Sequence, residues 1–131
     1  MSIRRWILGL GLAVGVLPPP GHAAVTEQSF LVRTTGDLVA LCSAAPDDPM
    51  RAAALNFCQG FGVGVFRVLH EEGMAAPSRR LFCIPNPTPS RNQVFASFVQ
   101  WAKSRPDQMA QPPQDGVAQF LATQFPCRAG K

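Results

Sequence analysis

Four cysteines, at positions 42, 58, 83 and 127, constrain this 131-residue chain more than any other feature. A thiol can be a nucleophile, a metal ligand or half of a cross-link, and the redox compartment decides among the three. The first residues predict that compartment. Arg4 and Arg5 precede an apolar run from Trp6 to Leu17, which Pro18, Pro19, Pro20 and Gly21 then break. Gly21 and Ala23 supply the small side chains of a cleavage site, so the layout is that of an export signal cut before Ala24. Twelve apolar residues fall short of the roughly 20 that span a bilayer as a helix. Retention as an uncleaved anchor is the lesser alternative, and nothing downstream is expected to be long enough to cross a membrane.

Removal of residues 1–23 leaves enough chain for one domain. The plan is a signal over 1–23, an N-terminal extension over 24–33, a helical domain over 34–127 and a tail over 128–131. Arg4 and Arg5 leave with the signal, so twelve basic residues become ten against eight acids, and the net charge falls from +4 to +2. The remaining arginines are scattered, and only Arg79 and Arg80 adjoin. A nucleic-acid footprint needs clustered cations on one face, so no nucleic-acid partner is expected.

An even cysteine count in a small exported domain reads as two disulfides. Metal binding would need closely spaced cysteine pairs or added histidines, whereas the nearest cysteines lie sixteen positions apart and His70 is the mature chain's one histidine. No metal and no cofactor are expected. Three pairings of four cysteines are possible.

The stretch Asn56-Phe57-Cys58-Gln59-Gly60-Phe61-Gly62-Val63-Gly64-Val65-Phe66 is the most ambiguous in the chain. A dinucleotide fingerprint needs a preceding strand and a third glycine five positions after the first, and here the third falls at four behind an alanine-rich lead-in. Apolar residues at Ala54, Leu55, Cys58, Phe61, Val65, Val68 and Leu69 recur at helical steps. One long helix over about 50–72 follows, with Gly73 as its C-terminal cap. Each glycine in a helix costs about 1 kcal/mol against alanine. Gly60 and Gly64, one turn apart, are expected to admit close approach by a neighbour.

Thr34, Thr35 and Asp37 ahead of Leu38 and Leu41 mark the capped start of a short first helix, roughly 35–45, which Pro46 and Pro49 end. Pro85, Pro87 and Pro89 stiffen a connection over 74–89, expected as an exposed loop with no part in the core. Ser90-Arg91-Asn92-Gln93 is a capping box that opens the next helix. Its apolar face runs from Val94 to Ala102, and Arg105-Pro106-Asp107 closes it. Pro112 and Pro113 open the last helix, whose stripe is Val117, Phe120, Leu121 and Phe125.

The expected fold class is all-α, a small disulfide-stapled bundle of about four helices with antiparallel neighbours. In that arrangement Cys42 lies near Cys58 and Cys83 near Cys127, which favours those pairs over the two rival connectivities.

No catalytic constellation is evident. His70-Glu71-Glu72 lacks the second histidine of HExxH, since position 74 is Met, and adjacent helix residues point apart. No G-x-S-x-G elbow is present, and paired cysteines leave no free thiol nucleophile. An enzyme is not expected.

The order of motifs is more specific than any one of them: T-G-D-L-V-A-L-C at 35–42, F-C-Q-G-F at 57–61, C-I-P at 83–85, W-A-K-S-R-P-D at 101–107 and F-P-C at 125–127. In this the chain resembles the Rap/Tai immunity-protein family, over about residues 34–127. Members in Gram-negative bacteria neutralise peptidoglycan-amidase toxins delivered by type VI secretion. The resemblance implies a helical fold similar to the acid-stress chaperone HdeA, a periplasmic location, a cognate secreted amidase as protein partner and, in some members, a homodimer. Which surface inhibits varies within the family, so no inhibitory residue transfers.

From the residues themselves, the connection and the helix start after it, over 74–92, are the candidate contact surface, with Arg79, Arg80, Asn86 and Arg91 as donors on a proline-stiffened loop. A merely solvated connection is the plainer account of the same residues. Two other classes remain, an HdeA-like periplasmic stress chaperone and a small secreted enzyme dependent on His70.

Overall fold

A computed structural model describes residues 23–128, and the expected signal and cleavage site lie almost entirely outside that range. Among the described residues all regular structure is helical: a 3-10 turn at Glu27–Leu31, α1 (Thr35–Cys42), α2 (Arg51–Ala75), a 3-10 turn at Pro77–Arg79, α3 (Arg91–Lys103), α4 (Pro106–Met109) and α5 (Pro113–Gln124). The chain is thus a stapled helical bundle, with one single-turn helix, α4, more than the apolar stripes foretold.

The short α1 is the buried strut around which the others pack, touching α2, α3, α4 and α5. Its capping box forms: Thr34 Oγ1 accepts from the Asp37 N–H at 3.1 Å, and Asp37 Oδ2 accepts from the amides of Arg33 and Thr34 at 2.9 and 3.0 Å. Leu38 and Leu41 are fully buried, and Val39 nearly so. α1 stops at Cys42, short of 45, where the Ser43 hydroxyl turns back to donate to the Val39 carbonyl at 2.7 Å.

Cys42 is bonded to Cys58, and Cys83 to Cys127. The first bridge ties α1 to α2, whereas the second ties the connection to the end of the domain, where the Cys83 N–H also donates to the Phe125 carbonyl at 2.8 Å. Loop-entropy arithmetic gives about 3 kcal/mol for the shorter loop and about 4 for the longer.

α2 departs from expectation in three ways. It runs to Ala75 and passes through Gly73, which has no left-handed backbone and is buried with the stem of Arg80 against it. The stop comes from Pro77, which pushes Ala76 to an extended geometry of φ −136° and ψ 79°. Its inner face carries Ala54, Cys58 and Gly62, while Val68 is exposed. An 18-residue window of this 25-residue helix has a mean hydropathy of 1.3, so by length and composition alone it is long and apolar enough to cross a membrane, which corrects the expectation that no downstream segment is. Its bridge to α1 and its contacts with α1 and α5 place it in the bundle.

The remaining core is aromatic. Phe120 sits edge-on to Phe98, Trp101 and Phe125 at centroid distances of 5.4, 5.7 and 6.1 Å, so α3 and α5 meet through rings. The connection is no bystander: Phe82 is 3% exposed and its ring tilts against Phe66 at 5.3 Å. The expectation of a wholly exposed loop fails there, because Leu81, Phe82 and Ile84 stand in an irregular segment with no period to say which of them turns inward. The extension packs too, with Val25, Phe30 and Val32 against the core and Phe30 edge-on to Phe57 at 5.6 Å.

Candidate functional site

α2, the connection, α3 and α5 leave a half-open cavity of about 330 Å³ between them. Its inner wall is core, formed by Phe98, Val117, Phe120 and Leu121. Its outer wall is the connection, through Phe82, Ile84, Pro85 and Pro89. Prolines stiffen this wall by fixing φ at three of its positions.

Gly62 shapes the cavity where α2 faces α3. A Cβ at Gly62 would lie 2.7 Å from Phe95 Cε1 and 2.8 Å from Cζ, so the absent side chain is what lets the Phe95 ring rest on the α2 backbone. Close approach therefore exists in the glycine run, at the middle glycine. Gly60 and Gly64, where it was expected, are exposed and would meet nothing within 4 Å. Helical periodicity fixes which residues share a face but not which face meets a neighbour.

The four donors singled out in the sequence do not line one cavity. Arg91, at the start of α3, lines the cavity. Asn86, which precedes a cis peptide to Pro87, lines a separate depression with Gln124, Phe125 and Arg128. Arg79 and Arg80 are exposed and line neither; Arg80 lays its stem on Gly73 and points its guanidinium at Met74 Sδ, 3.6 Å away.

Arg67 is a lining residue that the sequence does not single out. It projects from the exposed side of α2 into the lining of the same cavity as Arg91, and a sequence read without coordinates gives no reason to pair positions 67 and 91. Among the described residues the arginine side chains that donate hydrogen bonds are those of Arg51 and Arg80, so the guanidiniums of Arg67 and Arg91 are uncommitted. Among the described residues no carboxylate lines the cavity. Exposed Leu81 and Ile84 add apolar surface on the connection.

The arrangement suits binding by shape, apolar contact and positive charge. His70 is half-buried with its ring stacked on Phe66 at 5.7 Å, an aromatic contact of α2 with itself. Among the described residues no group of three or more His, Cys, Asp or Glu is placed to hold a metal ion.

A family model described as Rap1a immunity proteins matches residues 34–127, from the cap of α1 to the last cysteine. No curated protein and no solved structure matches the chain.

Proposed function

Because the chain belongs to the Rap1a immunity protein family, we propose that its mature form is a non-catalytic periplasmic binder that neutralises a secreted peptidoglycan-amidase toxin delivered by type VI secretion. The family match across the whole stapled domain is the observation that carries this reading. The export-type N-terminus and the two disulfides support a location outside the cytoplasm, since such bridges persist in oxidising compartments.

The contact surface is the connection with the adjoining start of α3. It offers exposed Leu81 and Ile84 as apolar anchors, with Arg79, Arg80, Asn86 and Arg91 around them. The covalent tie of Cys83 to Cys127 holds this segment in place before a partner arrives, which lowers the ordering cost of docking. Cationic rim groups then set association rate and partner choice more than raw affinity.

The test takes the product of the neighbouring reading frame, expected to be a secreted amidase, and follows its peptidoglycan hydrolysis as the purified mature protein is added in increasing ratio. Stoichiometric inhibition is expected. Ile84→Asp should weaken it by at least tenfold, as a lost buried anchor does, and Arg79→Glu with Arg80→Glu should slow association. Unchanged hydrolysis at molar excess of the folded protein would sink the proposal.

A further inference from the structure

We propose that the cavity between α2, the connection, α3 and α5 binds an anionic amphiphile, an alkyl chain of roughly ten to twelve carbons ending in a carboxylate. This goes beyond the toxin reading and stands without it.

Size argues for a chain-like ligand. The volume of about 330 Å³ is roughly twice the ~150 Å³ engineered apolar cavity that accepts benzene, and it falls in the range typical of ligand pockets. Two benzene equivalents correspond to roughly a dozen carbons. A single protein side chain would fill only part of that space.

Chemistry fixes the polarity of the ligand's end. Among the seventeen lining residues only Arg67, Thr88 and Arg91 have polar side chains, and the Thr88 hydroxyl already donates to the Pro85 carbonyl at 3.4 Å. Among the described residues Arg67 and Arg91 donate no hydrogen bond and stand on the exposed side of an apolar hole with no acid in its lining. A guanidinium presents a planar fork that matches a carboxylate, and two from different helices can hold one anion between them. An alkyl tail then runs inward over Phe66 and Phe95 toward Val117 and Leu121. A neutral apolar guest would gain nothing from either guanidinium, and a cationic one would be repelled.

The experiment is calorimetric titration of dodecanoate, below its micellar concentration, into the purified mature chain, with dodecyltrimethylammonium and acetate as comparators. Dodecanoate is expected to bind one-to-one, with the cationic amphiphile at least tenfold weaker and acetate weaker still. Replacing both rim residues, Arg67→Ala with Arg91→Ala, should cost dodecanoate at least tenfold while leaving thermal unfolding cooperative. Val63 is a partly exposed lining residue, so Val63→Trp should fill the cavity and reduce dodecanoate affinity without touching the rim charges.

Absence of dodecanoate binding, equal affinity for the cationic amphiphile, or affinity unchanged in both variants would overturn the proposal. Tighter binding of a phenylalanyl-aspartate peptide than of dodecanoate would also overturn it, in favour of a protein segment as occupant. Amidase inhibition is a separate readout, so failure here and failure of the toxin reading are distinguishable.

Discussion

Thr35 fills the space that a side chain at Gly116 would need. A Cβ placed on Gly116 would lie 2.6 Å from Thr35 Cγ2 and 2.9 Å from Thr35 Cβ. Thr35 cannot withdraw: it is fully buried, and its hydroxyl donates to the carbonyls of Gln111 and Pro112 at 3.1 and 3.2 Å. Its own N–H donates to Gln111 as well, at 2.7 Å. The first turn of α1 is thereby locked to the entry of α5.

Gly116→Ala should therefore destabilise the protein by about 1–3 kcal/mol through overpacking, although alanine gains about 1 kcal/mol in intrinsic helix propensity. Chemical denaturation of the two proteins measures this. Thr35→Ala made in the Gly116→Ala background should cost less than it does alone, because contacting residues are not additive. Strict additivity would show that the two positions do not meet.

The three glycines of α2 should respond differently to the same change. Gly60→Ala and Gly64→Ala place a methyl in open space, and each is expected to raise stability by about 0.5–1 kcal/mol. Gly62→Ala earns the same propensity but must displace the Phe95 ring, so its gain should be cancelled or reversed. Unfolding midpoints for the three single variants decide the matter.

The two bridges should differ in their access to reductant. Cys58 is 1% exposed, whereas Cys127 lies on the surface. Under mild reduction of the native protein, Cys83 and Cys127 should be alkylated first, as read by peptide mass spectrometry. Cys83→Ser with Cys127→Ser should cost up to about 4 kcal/mol and loosen the outer wall of the cavity.

Asp48 joins the extension to the head of α2. Its Oδ2 accepts from the Val25 N–H at 2.7 Å and its Oδ1 from the Met50 N–H at 2.8 Å. Asp48→Ala should lose about 1–3 kcal/mol, the worth of hydrogen bonds to a charged acceptor. Hydrogen exchange should then speed at the Val25 amide while the amides of α1 stay protected.

Much of the fold was legible in the sequence because its signals are local. The Ser90 box is visible in four letters, and in the structure Ser90 Oγ accepts from the Gln93 N–H at 3.3 Å while Gln93 Oε1 accepts from the Ser90 N–H at 2.8 Å. Pro112 and Pro113 open α5 for an equally local reason. Gly73 misled because a glycine near a helix end invites a cap, yet here it clears room for Arg80. Gly116 gave no warning at all, since its constraint is a threonine 81 positions away in sequence.

The candidate site was legible only in fragments. Arg91 could be found because it sits on a capped helix start beside a proline-stiffened loop, but its companion Arg67 lies mid-helix among apolar residues.

By itself the sequence determined a helical chain: periodic apolar stripes, capping residues and prolines act within a few residues, so their effect is written where they stand. It also favoured the cysteine pairs that form, Cys42 with Cys58 and Cys83 with Cys127. Only the tertiary structure decided which glycine a ring would rest on, that Phe82 would turn inward, and that Arg67 and Arg91 would flank one apolar hole. Those outcomes depend on the relative rotation and spacing of whole helices, which long-range packing sets and which no short window of residues encodes.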